Sequence, residues 1–328
     1  MSGFHWADTR GADGAPLQMT LRGRLAGHLP ALLPELRRDL SLSFDRRFES
    51  LTEVKGLRQG ALFPTILDAV ARYNALALFG EEFCRLYDVP EDPGLVRYGV
   101  HMIEHTLLIA EVLRMLPAFS RDLIGKFMSA RLNSGTVMTE ALLQIVTKRF
   151  EERELHRAGQ DTPEHHDCIQ WIMDHSPRHK PWTAMRVVHE LIAVWFGSVH
   201  IASTTACAAL FDLCDHPEYV PVLRQEIETT GWKAFDKAGG QIFPLMDSFL
   251  EGNQSARKVL KPFQFSDGTE ARAGQWICSA PKAMNRNPDT WAKANEFYGF
   301  RFAKPEILEQ ALSSHETLVS PSSHEEKF

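Results

Sequence analysis

One short motif, His101-Met-Ile-Glu-His105, combines residue types that could bind a metal ion and activate a water molecule. Histidines four positions apart share one face of a helix, so both rings could ligate a single zinc ion, with Glu104 as the general base. A pattern of five residues also arises by chance in about a few per cent of chains of this composition. Zinc hydrolysis is therefore kept as an alternative, and the primary prediction is that no metal is bound.

A second set of polar groups, Ser198 and His200, lies within a long and nearly apolar segment. An imidazole in apolar surroundings can donate a hydrogen bond to a carbonyl or move a proton. A serine hydroxyl inside a helix often bonds only the backbone of its own preceding turn. The adjacent aromatic residues Trp195 and Phe196, taken alone, are typical of core positions.

Apolar residues recur at helical spacing through most of the chain, so the sequence predicts a mainly α fold. Gly80 marks an expected break, and Pro30 and Pro34 are expected to interrupt the first helix. Late in the chain, two strand-like segments flank Asp267-Gly268, a turn signal for a small β-hairpin. Helices are expected over residues 21–40, 62–87, 95–115, 121–156 (as two helices), 181–214 and 218–228.

Composition divides the chain into three regions. Residues 1–16 are polar and rich in glycine and alanine, which predicts a flexible N-terminal arm. From Ala303 onward serine, histidine and glutamate dominate without a visible period, so residues 303–328 are expected to form a polar tail. A helical domain is expected between them, over residues 17–302.

Charge and cysteine content exclude several classes of function. The 36 basic and 42 acidic residues give a net charge of −6, which offers no basic face for a nucleic acid. The five cysteines are scattered and never stand as Cys-x-x-Cys, which indicates a reducing compartment. No signal sequence and no unbroken apolar run of about 18 residues is visible. We expect a cytoplasmic protein without a transmembrane anchor, with peripheral association to the endoplasmic reticulum as the alternative.

Several ordered segments resemble fungal cytochrome P-450s. Residues 74–84 include Phe-Gly-Glu-Glu-Phe-Cys, which is similar to the Val-Gly-Glu-Glu-Leu-Cys end of a helix in that family. Residues 168–177 include Ile-Gln-Trp-Ile-Met-Asp, which is similar to the family's Leu-Gln-Trp-Leu-Ile-Asp. Order and spacing agree over about residues 20–302. The other segments that resemble the family are residues 211–219, 223–227, 243–249, 257–268, 283–288 and 300–302.

The resemblance implies a partial P-450-like helical fold with a small β-hairpin, in which residues 181–214 correspond to helix I. Family members hold haem iron through a cysteine in a Phe-x-x-Gly-x-x-x-Cys-x-Gly loop beyond a Phe-Arg-Phe segment. Here the last cysteine is Cys278, which precedes Phe300-Arg-Phe302, and nothing after Phe302 resembles the loop. We therefore expect the haem-ligand loop to be lacking, no cofactor to be bound, and no monooxygenase activity.

Two departures from the family inside the chain also predict that haem is not bound. The Glu-x-x-Arg pair of helix K corresponds to Gly252 and Ser255, and losing both partners avoids an unpaired buried charge costing about 3–5 kcal/mol. In helix I, the two threonines of the family's His/Asp-Thr-Thr stretch, the first of which handles protons for oxygen activation, correspond to Ile201 and Ala202. A truncated gene model would explain missing ends, but it would not explain these internal changes.

The family's substrate pocket lies above helix I, so the resemblance also implies site residues. His200 is expected to polarise a substrate carbonyl, with Ser198 assisting as the second catalytic group. Substrate-binding positions are expected on helix I and on the helix F-like segment that roofs the pocket. They are Trp195, Phe196, Val199 and Ile201 on the first, and Tyr98, His101, Met102 and His105 on the second.

The resemblance without a haem ligand implies, as the leading hypothesis, a cofactor-independent cyclase that acts on an apolar terpenoid by an intramolecular Diels–Alder or related pericyclic reaction. Holding a reactive conformer can supply about 7–11 kcal/mol without a cofactor. The more specific resemblance is to norbornene-forming Diels–Alderases of sordarin-type diterpene pathways. The alternative is a non-catalytic, P-450-derived pseudoenzyme that binds a small apolar ligand or a partner protein.

Overall fold

The structure is a computed structural model of the 328-residue chain. It describes residues 20–85, 94–176, 181–250, 256–258, 263–264, 268–272, 276–278, 287–290 and 294–313. The predicted N-terminal arm over residues 1–16, the end of the predicted tail and the positions of Gly252 and Ser255 lie outside the described residues.

The described chain is mainly helical, as the sequence predicts. A π-helical turn over Thr20–Leu25 leads into the first α-helix. The α-helices are α1 (Ala26–Glu49), α2 (Leu62–Arg85), α3 (Gly94–Met115), α4 (Ala118–Leu132), α5 (Ser134–Arg157), α6 (Cys168–Asp174), α7 (Ala184–Asp215), α8 (Tyr219–Thr230), α9 (Trp232–Lys237), α10 (Pro244–Leu250) and α11 (Pro305–Ser313).

The expected helix breaks at Gly80 and within residues 121–156 are present, and the one expected in the first helix is not. Gly80 interrupts α2 with φ 79° and ψ 175°, and Asn133 separates α4 from α5 with φ 48°. Pro30 and Pro34 lie inside α1, so the predicted interruption there is wrong. The apolar face of α1 is buried nearby, where Leu36 is 1% exposed. This packing offsets the roughly 3 kcal/mol that a proline costs inside a helix.

The predicted hairpin is present as two nested antiparallel pairs. Strand β3 (Ala256–Lys258) pairs with β6 (Trp276–Cys278), and β4 (Phe263–Gln264) pairs with β5 (Glu270–Ala271). Gly268 adopts φ 88° at the turn, a conformation that glycine reaches without steric cost. The prediction of a small β element is confirmed.

A second hairpin, β1 (Thr52–Val54) with β2 (Leu57–Gln59), was not predicted. Its two turn residues, Lys55 and Gly56, both have positive φ, as a two-residue hairpin turn of the primed type requires. The strands are three residues long and wholly exposed, so they carry no apolar alternation that a sequence pattern could reveal.

The chain forms two compact units. Unit 1 consists of Met1–Ala208 with Lys233–Gly240, and unit 2 consists of Ala209–Trp232 with Gln241–Phe328. The core of unit 1 is a single cluster to which α2, α3, α5, α6 and α7 contribute. Along α7, buried side chains recur every four residues and form one apolar stripe. Its members are Val187, Leu191, Trp195 and Val199, all 0% exposed.

The core of unit 2 is aromatic. Tyr219 lies with its ring centroid 4.9 Å from that of Phe300, and its hydroxyl accepts a hydrogen bond from the Gly299 amide at 3.2 Å. Ser248 Oγ donates to the Gly299 carbonyl and accepts from the Phe302 amide. These bonds fix the Phe300-Arg-Phe302 segment against α10.

Helix α11 corrects the predicted tail. It lies within residues 303–328, which were expected to have no periodic structure. Leu308 is 4% exposed and Ile307 is partly buried against the unit 2 core, so two adjacent apolar residues are enough to dock a short helix. The helix was missed because residues 303–328 as a whole are rich in serine, histidine and glutamate, which hides the two apolar residues.

Two segments of the described chain, Leu62–Gly80 and Ala184–Asp215, are long and apolar enough to cross a membrane by length and composition alone. The sequence-based expectation had considered only unbroken apolar runs, whereas these helices contain interspersed polar residues. In their most apolar windows, 44% and 33% of the residues are buried within the protein. Both helices supply the core of unit 1, a role for which the same composition is typical.

A buried ion-pair cluster joins α2, α5 and α6 in unit 1. Arg149 is 3% exposed, and its Nη2 donates to Asp167 Oδ2 at 3.1 Å and to Glu82 Oε2 at 3.4 Å. Asp167 also caps α6, because its Oδ1 accepts from the Gln170 amide at 2.9 Å. Burial raises the pKa of Asp167, and the Arg149 charge opposes that rise. A Cβ at Gly80 would stand 2.9 Å from Asp167 Oδ2.

Candidate functional site

His200 lies on α7 and faces α2 and α3. Its ring centroid is 6.5 Å from that of Phe63, which is 40% exposed at the start of α2. Burial lowers the pKa of His200, and the negative charge of Glu104 on α3 partly opposes this shift. The imidazole is therefore neutral at neutral pH. It can donate from one ring nitrogen and accept at the other.

The two ring nitrogens of His200 differ in their surroundings. Nδ1 is sealed from solvent and has no hydrogen-bond partner among the described residues, whereas Nε2 is not sealed. A buried N–H without an acceptor is the rarer and less favourable arrangement. The proton is therefore best placed on Nε2, the nitrogen that an external group can reach.

His101 and Glu104 extend the same region along α3. His101 Nδ1 lies 3.0 Å from Glu104 Oε2, and both side chains are close to half exposed. Phe63, His101, Glu104 and His200 thus form a partly exposed polar and aromatic surface within unit 1, here named the His200 surface. Phe63 carried no sequence signal for this role, and Glu104 had been considered only as a zinc-site base.

The structure gives the zinc alternative no support. His105 Nδ1 lies 2.7 Å from Ser134 Oγ on α5, so His101 and His105 each have a different polar partner. Their rings stack nearly parallel, with centroids 5.9 Å apart. Among the residues with described placement, no group of three histidine, cysteine, aspartate or glutamate side chains is arranged to hold a metal ion.

Ser198 and His200 are not brought together. Ser198 Oγ donates to the Trp195 carbonyl on its own helix at 3.3 Å. Two positions along a helix correspond to a rotation of about 200°, so side chains at this spacing do not face each other. The expectation that Ser198 assists His200 at one substrate group is therefore corrected.

The predicted substrate-binding residues separate into core and surface. Trp195 and Val199 are 0% exposed, so these side chains present no surface to a ligand, and Met102 is 4% exposed. They belong to the stripes that α7 and α3 bury in the core of unit 1, and Phe196 packs partly buried against the same core. Ile201 and Tyr98, at 60% and 38% exposed, lie at the surface.

A cavity of about 250 Å³ lies between α3, the junction of α4 and α5, and the first half of α7. Met102 and His105 line it together with Ile192, Ser134 and Thr139. Ile192 precedes His200 by eight positions, or about 12 Å along the helix axis. His101 and His200 are not among the residues that line the cavity. The predicted site residues therefore lie in two places.

The resemblance to cytochrome P-450s implies a haem whose iron is held by a thiolate. The family carries this ligand after its Phe-Arg-Phe segment, and residues 303–328 contain no cysteine. On the described helices, burial raises the pKa of Cys168 to about 12 and also raises the pKa of Cys207. Both thiols are protonated at neutral pH. Neither fits the role of an axial thiolate.

Known proteins similar to this chain include fungal cytochrome P-450 monooxygenases, although no protein-family model matches. A cytochrome P-450 monooxygenase of Tolypocladium album is 28% identical over 253 residues, covering 74% of this chain and 43% of the relative. One of Penicillium ochrochloron is 26% identical over 326 residues, covering 93% and 59%. The chain spans about half the length of the curated relatives it matches.

Solved structures give the same fold. A retinoic acid-bound cyanobacterial CYP120A1 superposes with a TM-score of 0.60 at 14% identity, covering 88% of this chain and 62% of the other. The haem domain of cytochrome P-450DA gives 0.60 at 13% identity, covering 90% and 61%. The predicted partial P-450-like helical fold is confirmed. The chain therefore resembles fungal cytochrome P-450s in sequence over most of its length and folds as part of the P-450 helical domain.

Proposed function

We propose that the protein is a cofactor-independent cyclase that carries out an intramolecular Diels–Alder or related pericyclic reaction on a terpenoid. Its relatives are P-450 monooxygenases of fungal secondary metabolism, which supports a substrate that comes from such a pathway. The observation that carries the proposal is the state of His200. Burial lowers the pKa of this imidazole, its Nε2 is the nitrogen that is not sealed, and its ring centroid lies 6.5 Å from that of the apolar Phe63. The exposed Ile201, its neighbour in sequence, stands where the family carries a threonine.

The chemistry asks little of the protein. In a Diels–Alder reaction a diene and an alkene form two carbon–carbon bonds together, and no electron or proton is exchanged with a cofactor. The protein must hold the chain in a folded conformer and lower the barrier by a hydrogen bond to a carbonyl on the alkene. Nε2–H of His200 provides that donor, while Phe63 and Ile201 provide apolar surface against which the substrate folds.

The test is turnover by the full chain with a polyunsaturated diterpene aldehyde. We expect His200→Ala and His200→Phe to slow cyclisation by about 10–100-fold, because one hydrogen bond at the reacting carbonyl is lost. His200→Gln keeps a donor and should recover part of the rate. Product formation and stereochemistry are followed by chiral chromatography, with His156→Ala, an exposed histidine on α5, as the matched control.

Two results would contradict the proposal in different ways. Unchanged rate and product ratio in both His200 variants would remove His200 from the mechanism. No acceleration over buffer by the unaltered protein would favour the alternative, a P-450-derived pseudoenzyme that only binds an apolar ligand. The cavity of about 250 Å³ behind Met102 is the observation that favours this alternative, because it offers ligand space away from His200.

We propose in addition that α4 rests on a membrane surface. Its outward face carries three apolar side chains at a spacing of four residues, Phe119, Leu123 and Phe127, which are 89%, 74% and 69% exposed. Arg121 and Lys126 lie on the same helix. An apolar face combined with basic residues is typical of helices that lie in the lipid headgroup region.

The membrane proposal predicts sedimentation with lipid vesicles. The unaltered protein should bind vesicles containing phosphatidylserine, and the double variant Phe119→Ser with Leu123→Ser should bind at least about tenfold more weakly, because two large apolar side chains are removed. Exposed Leu42 and Phe48 on α1 serve as the control pair for the same substitutions. Equal sedimentation of the α4 and α1 variants would show that α4 is not the contact surface.

A further inference from the structure

A second cavity in unit 1 lies on the α5–α6 side of the unit and shares no lining residue with the His200 surface. It has a volume of about 350 Å³ and is bounded by the start of α1, the C-terminal half of α5, the loop after α5 and helix α6. Its volume is about tenfold that of a water molecule. Three arginines line it (Arg24, Arg149 and Arg153), together with four histidines and the three carboxylates of Glu152, Glu164 and Asp174.

The guanidinium groups of this cavity have more donors than the described residues satisfy. Arg149 is 3% exposed, and its Nε and Nη1 have no hydrogen-bond partner among the residues that the structure places. Nε of Arg153 likewise donates no hydrogen bond within the described chain, although Glu154 lies 3.8 Å away. Unsatisfied buried donors are costly, so an arrangement of this kind is stabilised when an acceptor approaches.

Two of the three carboxylates that line the cavity already have a close polar partner, and the third is exposed to solvent. Glu152 Oε2 lies 2.8 Å from His165 Nε2, and Asp174 Oδ1 accepts from the Gln170 side-chain amide at 2.9 Å. Glu164 is 90% exposed and 3.9 Å from His166. These acidic groups do not supply the acceptors that Arg149 and Arg153 lack.

We propose that this cavity is a binding site for a phosphate group. A phosphate presents several anionic oxygens at once, and arginine binds such a group through parallel N–H bonds that are about twice as strong as neutral ones. Arg153 and Arg24 contact the anion at the cavity mouth. Arg149 lies at the base and contributes its positive charge, oriented by Asp167.

The neighbouring surface indicates two sources for the phosphate. A groove of about 680 Å³ between α1 and α2 shares Arg149, His165 and His166 with the cavity and is lined by Leu32, Leu36 and Leu76. The phosphate of an amphiphile would place its apolar chain in this groove. A free diphosphate would use the cavity alone.

Calorimetric titration of the full chain with inorganic pyrophosphate and with dodecyl phosphate tests the site. We expect saturable binding, and about tenfold or greater weakening in Arg24→Gln and in Arg153→Gln, because each loses a charge-assisted bond. Arg38→Gln, an exposed arginine elsewhere on α1, is the matched control and should bind as the unaltered protein does. Leu32→Ser should weaken dodecyl phosphate alone if the amphiphile is the ligand.

Two outcomes overturn the proposal. One is the absence of saturable binding of either probe to the unaltered protein. The other is equal binding in the Arg38→Gln control and in a double variant of Arg24 and Arg153. Because none of these residues belongs to the His200 surface, cyclisation rates should be unaffected in every variant. Loss of the cyclase proposal and loss of the phosphate site are therefore separate results.

Discussion

Replacing Asp167 with alanine is expected to lower the free energy of unfolding by about 3–5 kcal/mol. The substitution leaves Arg149 buried with only the longer 3.4 Å contact to Glu82, and removing one partner of a buried pair exposes the full desolvation cost of the other. It also removes the side-chain cap of α6, which typically contributes about 1 kcal/mol. Urea unfolding followed by circular dichroism measures the change as a shift in midpoint.

Two further variants separate the causes. Asp167→Asn keeps a capping oxygen but removes the charge, so it should recover the capping part alone. Glu154→Ala removes an exposed pair with Arg157 and should cost no more than about 1 kcal/mol. A midpoint for Asp167→Ala equal to that of Glu154→Ala would contradict the assignment of Asp167 to a buried, stabilising cluster.

Trp195→Ala is the second large effect, with an expected loss of about 3–5 kcal/mol in the free energy of unfolding. Trp195 is fully buried, lies 5.3 Å from Phe79 between ring centroids, and would contact a Cβ at Gly99 at 2.9 Å. Because Phe79 and the backbone at Gly99 already pack closely against the indole, they cannot fill the space that Trp195→Ala leaves, and a cavity results. Thermal or urea unfolding gives the magnitude.

Trp195→Phe tests whether packing alone is responsible. The indole Nε1–H has no hydrogen-bond partner among the described residues, so phenylalanine loses no polar contact and should cost less than about 1.5 kcal/mol. Phe211→Ala, on the same helix but 61% exposed, should change stability little. If Trp195→Ala and Phe211→Ala lowered the free energy of unfolding by similar amounts, the assignment of Trp195 to the core would be contradicted, and its predicted role in substrate binding would stand.

Much of the fold follows from sequence because its signals are local. Helical periodicity, the break at Gly80 and the turn at Gly268 depend on neighbours within a few positions, and the structure has them where they were expected. Helix α11 and the hairpin around Gly56 were missed because a few residues and three-residue strands fall below the length at which a period is visible.

The site was less predictable because it depends on the angles between helices. Ser198 and His200 are close in sequence, yet helix geometry turns them apart, and Trp195 is buried by the same rotation. Phe63 meets His200 from a different helix, which no spacing within α7 could reveal. The burial of Arg149 likewise arises only when α2, α5 and α6 pack together.

The backbone at Gly80 has a consequence for two of the sequence segments that resemble the family. Residues 74–84 supply a position without a side chain, and the Asp167 carboxylate immediately before residues 168–177 occupies the space this leaves. A side chain at position 80 would collide with the Asp167 carboxylate, which would have to move together with the start of α6. The conformation there, with φ 79°, would independently disfavour such a residue. The residue at position 80 therefore limits which side chain position 167 can carry, and the Asp167 carboxylate limits position 80 in return.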